Sequence, residues 1–91
     1  MGKVIQSHKA VVFTDLDDGT AVLLHLDNKF YYSLNETGCF MWKNIDREGG
    51  IKEADLVKEL VSHFEVSEEE AKSDVHDFIE ELKKEGLIAV S

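Results

Sequence analysis

The stretch AVLLHLDNKFYYSLNETGCFMW, residues 21–42, holds the change of hydrophobic pattern that decides the fold. Side chains in Ala21–Leu26 and again in Phe30–Leu34 alternate between two faces, which is typical of β-strands. The three residues between these runs are only enough for a tight hairpin connection. From Asn35 onwards, a good helix N-cap, apolar residues recur at helical spacing. We therefore predict two paired strands followed directly by a helix.

A further strand is predicted before this stretch. Val11–Phe13 is a short run of strand-forming residues, and Asp17–Gly19 supplies the turn after it, because glycine tolerates a positive φ and aspartate bonds its own backbone. Three strands joined by short turns form an antiparallel meander, which has one buried face and needs a second layer. We expect Val22, Leu24 and Leu26 to lie on the buried face of the middle strand.

Two more helices are predicted after the first. The second spans about residues 52–64, and the third begins at Ser67, which forms a capping box with Glu70, and ends at Gly86. The order βββααα defines an α+β fold, a three-stranded antiparallel β-meander packed on a three-helix bundle, similar to a winged helix-turn-helix. The helical residues that we expect in the core are Met41, Trp42, Leu60, Phe64, Val75, Ile79 and Leu82.

Length and charge restrict the classes of protein to which the chain can belong. Its 91 residues suit a single domain, 1–91, with a core at about 9–90. With 19 acidic and 10 basic residues the net charge is −9, which disfavours nucleic-acid and anionic-membrane partners. The single cysteine cannot form an internal disulfide, and the sequence contains no recognisable signal peptide or membrane span, so we predict a cytoplasmic protein.

Motifs for catalysis and for cofactors are missing from the sequence. The four histidines are scattered, and no Cys-x-x-Cys or His-Glu-x-x-His pair suggests a zinc site. His63 and His76 could meet between neighbouring helices, and Cys39 could be activated near a helix N-terminus. Surface histidines and a packed cysteine are the simpler interpretations. We therefore predict no enzymatic activity, no cofactor and no metal.

Residues 32–42, YSLNETGCFMW, resemble the signature aromatic-x-Leu-Asn-x-Thr-Gly-x-x-x-Trp of the PqqD-like family. Later parts of the chain are similar to the rest of that family's pattern, and they are Asp55–Leu60, Phe64–Val66, Ala71–Phe78 and Leu82–Ile88. The resemblance extends over about residues 9–90. It implies a three-stranded sheet on three helices, which agrees with the order predicted from periodicity.

Members of the PqqD-like family recognise precursor peptides that are made on the ribosome and then modified, in coenzyme PQQ, lasso-peptide, sactipeptide and other pathways. The resemblance implies a non-catalytic adaptor that binds the leader of such a precursor and presents it to a modifying enzyme, such as a radical-SAM protein. It also implies that the leader adds as a strand beside the third strand and lies against the third helix. The implied peptide-binding residues are Lys29, Phe30, Tyr31, Tyr32, Ser33, Leu34, Asp74, Val75, Phe78, Glu81 and Leu82.

Strand addition at Phe30–Leu34 also has physical support. An outer strand of a meander keeps one edge of unpaired backbone groups, and this strand has no proline and only Lys29 as a charge at its start. An added guest strand gains main-chain hydrogen bonds there, and pockets for its alternate side chains give specificity. The alternative is that the N-terminal segment of the chain covers this edge.

The charge of the leader depends on which flank of the third helix borders the binding groove. One flank is acidic, with Asp74, Glu81 and Glu85, and would favour lysine or arginine in the leader. The other flank, with Lys72, His76 and Lys83, would favour acidic residues in the leader. The acidic flank is the preferred of the two.

Two other functions are compatible with the predicted fold. A winged-helix DNA-binding regulator would place the third helix in the major groove, but residues 68–85 carry eight acids against three lysines and would repel phosphates. A structural subunit would stabilise a modifying enzyme without contacting the leader. Titration with leader peptides separates this subunit from the adaptor.

Overall fold

Six strands and three helices make up the part of the chain that the computed structural model describes, residues 4–90. The predicted domain bounds, 1–91, also include residues 1–3 and 91, which lie outside the described residues. The elements in chain order are β1 (Val4–Ser7), β2 (Val11–Asp15), β3 (Ala21–His25), β4 (Phe30–Leu34), α1 (Glu36–Ile45), β5 (Ile51–Lys52), α2 (Glu53–Phe64), α3 (Glu68–Lys84) and β6 (Ile88–Val90).

The predicted meander is confirmed as an antiparallel sheet in the order β2-β3-β4. The register of the β3–β4 hairpin pairs Ala21 with Leu34 and His25 with Phe30. Its connection turns through Lys29, which has a left-handed φ of 60°, while Asn28 Oδ1 accepts a 2.9 Å hydrogen bond from the Phe30 N–H. This local hydrogen bond helps to fix the register of the hairpin. The helix α1 follows directly after β4, so the βββααα order of the meander and helices is confirmed.

A second small sheet, in the order β5-β1-β6, is present in addition to the meander. Its central strand β1 pairs antiparallel on both sides, with Ile5 opposite Ile51 and opposite Val90. The N-terminal segment from Val4 therefore pairs with the C-terminal strand and does not cover the edge of β4. Such short strands show no periodicity, and their partners are far apart in sequence, so the pattern of the sequence did not reveal them.

The expectation that Val22, Leu24 and Leu26 lie on the buried face of β3 is wrong. Ala21, Leu23 and His25 face the core, with exposed fractions of 1%, 0% and 6%, whereas Leu26 is 44% exposed and Val22 and Leu24 are only half-buried. A strand with apolar residues on both faces does not indicate which face is buried, and a shift by one residue exchanges the two. Ala21 pairs with Leu34, which is buried on the same face of the sheet at 3% exposure.

Local capping interactions begin and end the helices. Asn35 Oδ1 accepts a 2.8 Å hydrogen bond from the Gly38 N–H at the start of α1, and Ser67 Oγ accepts one of 3.1 Å from the Glu70 N–H at the start of α3. The hydrogen bonds of the described residues include only this half of the predicted capping box. At the end of α3, Gly86 has a φ of 73° and Leu87 N donates to the Leu82 carbonyl, which forms a Schellman motif.

The three helices bury their apolar stripes against one another and against the inner face of the meander. Trp42 on α1 is 1% exposed, Leu60 on α2 is 1%, and Val75 and Leu82 on α3 are both 0%, as predicted. Phe64 is only half-buried. This single core holds α3 at a fixed distance from β4, and the space left between them forms the site described next.

Candidate functional site

A groove of about 610 Å³ lies between β4, the N-terminal end of α1 and one face of α3. All three elements are anchored in the core through Leu34, Met41 and Val75, which are 3%, 3% and 0% exposed. The groove is lined by Tyr32, Ser33, Leu34, Asn35, Thr37, Gly38, Met41, Asp74, Asp77, Phe78 and Glu81.

The strand edge beside the groove is free within residues 4–90. In the β2-β3-β4 sheet, β4 is an outer strand, and its only strand partner in the described part of the chain is β3. An outer strand presents backbone N–H and C=O groups that can pair with another extended segment. A guest strand could therefore extend this sheet beside Phe30–Leu34.

The floor of the groove is apolar and closely packed. Phe78 on α3 lies against the backbone of Gly38 on α1, because a Cβ built at Gly38 would be 3.3 Å from Phe78 Cε1 and 3.3 Å from Leu34 Cδ2. Met41 lies one turn further along α1 and also lines the groove. The floor can therefore receive apolar side chains from an extended ligand.

The α3 wall of the groove is acidic. Asp74, Asp77 and Glu81 line it, whereas the groove lining includes no lysine or arginine. The ion pairs among residues 4–90 join Lys43 to Asp15, Lys72 to Glu68 and Lys83 to Glu80, so none of them neutralises these three carboxylates.

The basic flank of α3 faces away from this groove. His76 and Lys83 line a separate cavity of about 440 Å³ beside β1 and β6, and Lys72 lines a third cavity between α2 and α3. Two of the three residues of the acidic flank, Asp74 and Glu81, thus border the groove, whereas Glu85 is outside its lining. The same surface disfavours the DNA-binding alternative, because an acidic α3 repels the phosphates of a duplex.

Burial and, after it, neighbouring carboxylates raise the pKa of Tyr32 on β4. Burial raises the pKa of its hydroxyl from the ordinary value of 10.0 to about 12, and the next causes are its hydrogen bond with Glu81 and the charges of Glu81 and Glu85. The tyrosine side chain faces α3, since Tyr32 pairs with the buried Leu23 and shares its face of the sheet. A cation at this place would be stabilised by the same carboxylates.

The structure brings six of the eleven sequence-predicted site residues into the groove lining: Tyr32, Ser33, Leu34, Asp74, Phe78 and Glu81. Val75 and Leu82 lie in the core at 0% exposure, because Phe78 occupies the border of the apolar stripe of α3 and they occupy its centre. Lys29 is in the hairpin turn, and Phe30 and Tyr31 are 37% and 67% exposed outside the groove lining.

Five lining residues were not predicted as part of the site: Asn35, Thr37, Gly38, Met41 and Asp77. Asn35, Thr37 and Gly38 belong to the Leu-Asn-x-Thr-Gly signature, so this motif itself contained the signal for part of the groove. Asp77 lies on the acidic side of α3, beside Asp74 and Glu81 in the groove.

The chemistry available in the groove consists of hydrogen bonding, apolar contact and charge. Within residues 4–90 no three His, Cys, Asp or Glu side chains are placed to hold a metal ion together. His63 stacks on Phe40 at 4.2 Å and His76 lies in a different cavity, so these two histidines do not meet. Cys39 is buried at 6% exposure.

None of the helices described in the structure is long and apolar enough to cross a membrane.

Comparisons with known proteins agree with this geometry. A family model described as coenzyme PQQ synthesis protein D (PqqD) matches residues 20–88. A chain solved as TbiB1 in complex with the TbiA(beta) leader peptide is 28% identical, with a TM-score of 0.81, over 91% of this chain and 93% of that one. A chain solved as lasso peptide synthetase B1 complexed with the leader peptide is 25% identical, with a TM-score of 0.78, over 93% of this chain and 96% of that one. No curated protein matches the sequence.

Proposed function

The chain belongs to the PqqD family, and we propose that it is a non-catalytic adaptor that binds the leader of a ribosomally made precursor peptide. The adaptor presents this leader to a modifying enzyme, such as a radical-SAM protein, in the cytoplasm. Both similar solved structures contain a leader peptide, and one of them is a lasso peptide synthetase B1, whereas the family description refers to coenzyme PQQ. The proposal therefore concerns the leader-binding role that these systems share.

The single observation that carries this proposal is the free edge of β4 beside the groove. The leader pairs with Phe30–Leu34 through main-chain hydrogen bonds, and its alternate side chains enter the groove towards α3. Leu34 and Phe78 provide apolar contact, while Asp74 and Glu81 provide charge. Val75 and Leu82 hold the wall in place from the core.

The benefit of such an adaptor is a raised local concentration of the precursor at the enzyme. A precursor held by its leader meets the enzyme as if the reaction were intramolecular, so the adaptor needs no catalytic group of its own. This explains how a chain of 91 residues takes part in a biosynthetic reaction.

The proposal is tested by titrating the full chain with the leader of a precursor peptide encoded beside its gene, followed by NMR of the backbone amides. We expect saturable binding, with the largest shifts in Phe30–Leu34 and on the Asp74–Glu81 side of α3. A scrambled leader of the same composition is the control. Absence of binding would favour the structural-subunit alternative, and shifts confined to β2 or to the β5-β1-β6 sheet would contradict the assignment of the site.

A further inference from the structure

The groove beside β4 contains negative charge that the chain itself does not balance. Asp74, Asp77 and Glu81 line one wall, and the groove lining has no cationic side chain. The ion pairs formed by residues 4–90 involve other carboxylates. Glu81 has a hydrogen bond with the Tyr32 hydroxyl, which leaves its negative charge in place, so the three carboxylates lack a cationic partner among these residues.

The spacing of these carboxylates suits an extended ligand. Asp77 and Glu81 are four residues apart on α3, which is about 6 Å along a helix axis. Side chains on the same face of a strand are two residues apart, or about 6.7 Å. If the guest strand runs along α3, two neighbouring side chains on one of its faces match the spacing of these two carboxylates.

The pairing with β4 determines which residues of the guest strand face α3. Tyr32 and Leu34 share the face of β4 that looks towards the helices, whereas Tyr31 lies on the outer face opposite Leu24. Guest residues that lie beside Tyr32 and Leu34 point towards α3, and the residues between them point away. Only every second guest residue therefore meets the acidic wall.

We propose that the peptide recognised in this groove carries lysine or arginine at two positions separated by one residue, both facing Asp77 and Glu81. This inference rests on the proposed function and adds the chemical class of the leader. Apolar residues at neighbouring inward positions contact Phe78 and Leu34 on the floor of the groove.

The test begins with selection of random decapeptides by mRNA display on the immobilised full chain. We expect the selected sequences to be enriched in a basic-x-basic pattern. One selected peptide is then synthesised with lysine, glutamine or glutamate at both positions. Replacing both lysines by glutamine should weaken binding about tenfold, and this difference should shrink at high salt because the pairs are exposed.

Two variants of the protein assign the effect to the groove. Glu81→Lys should weaken binding of the lysine peptide and strengthen binding of the glutamate peptide, because it replaces a negative charge of the groove wall by a positive one. Glu80→Lys is the matched control, since it makes the same change one residue away, on the side of α3 that pairs with Lys83. It should leave the preference for lysine intact.

The results distinguish failure of the preference for basic residues from failure of strand addition itself. Selected peptides that lose affinity on N-methylation at alternate positions, but show no preference for basic residues, would overturn the inference and leave strand addition in place. Equal effects of Glu81→Lys and Glu80→Lys would overturn it as well. If no peptide is selected, or N-methylation has no effect at any position, both the inference and the proposed binding mode are wrong.

Discussion

The ring of Phe78 on α3 packs against the backbone of Gly38 on α1, so closely that a Cβ at residue 38 would lie 3.3 Å from Phe78 Cε1. The same Cβ would lie 3.2 Å from Asn35 Oδ1, the atom that caps α1. The absence of a side chain at Gly38 thus allows the end of β4, the start of α1 and α3 to meet at the floor of the groove. This contact gives a physical reason for the glycine in the Leu-Asn-x-Thr-Gly signature.

Substitution of Gly38 by alanine should affect binding more than stability. Alanine in a helix is about 1 kcal/mol more favourable than glycine, which offsets part of the crowding at Phe78 and at the cap. We expect a thermal midpoint within a few degrees of the wild type and a leader affinity reduced several-fold, because the added methyl group crowds Phe78 and Leu34, which both line the groove. Thermal unfolding and calorimetric titration measure the two effects. A stable variant with unchanged affinity would show that the floor does not contact the leader.

The raised pKa of Tyr32 predicts a loss of stability in alkali. The folded protein holds this proton up to a pKa of about 12, whereas the unfolded chain releases it at about 10.0, so the free energy of unfolding falls as the pH rises between these values. In a Tyr31→Phe background, where Tyr32 is the only tyrosine, absorbance of tyrosinate follows the titration.

Glu81→Gln in the same background should lower the pKa of Tyr32, because it removes a carboxylate that favours the protonated hydroxyl. Glu80→Gln, on another side of α3, should leave the titration unchanged. An unchanged pKa of Tyr32 in Glu81→Gln would mean that burial alone raises it. It would contradict the contribution of Glu81 to the negative potential at Tyr32.

N-methylation of the leader distinguishes strand addition from other modes of binding. Successive backbone groups of a strand point to opposite sides, so N-methylation should weaken binding only at alternate positions of the leader. Phe78→Ala should also reduce affinity, through lost apolar contact, but without changing this alternation. Tyr31→Ala should have a smaller effect, since Tyr31 is 67% exposed and lies outside the groove lining. If N-methylation reduces affinity at none of the positions, the leader binds as a helix in the groove instead.

The corrected orientation of β3 is tested by two neighbouring leucines. Leu23 is fully buried, so Leu23→Ala should reduce the free energy of unfolding by about 2–5 kcal/mol. Leu24 is half-buried on the opposite face, so Leu24→Ala should cost about 1 kcal/mol. Both variants change the same residue type on the same strand, and denaturant unfolding compares them directly. A larger loss in Leu24→Ala would reverse the assignment of the two faces.

The types and order of the main elements follow from the sequence because the interactions that specify them are local. The Asp27–Lys29 connection, the Asn35 cap and the Gly86 terminus each depend on residues within a few positions, so they were readable without a structure. The site was predictable in part for the same reason. Tyr32 on β4 and Asp74, Phe78 and Glu81 on α3 belong to elements whose positions in the chain were correctly assigned.

Tertiary packing alone decided which faces of these elements meet. It buried Leu23 instead of Leu24, turned the acidic flank of α3 towards β4, and paired Ile5 with Val90 in a sheet that leaves the β4 edge free. Periodicity in a sequence shows that an element has two sides, but the choice between apolar sides depends on contacts between residues far apart in the chain. The sequence by itself therefore determined the three meander strands, the three helices and their order, while the second sheet and the charge and position of the groove were decided by how the elements pack.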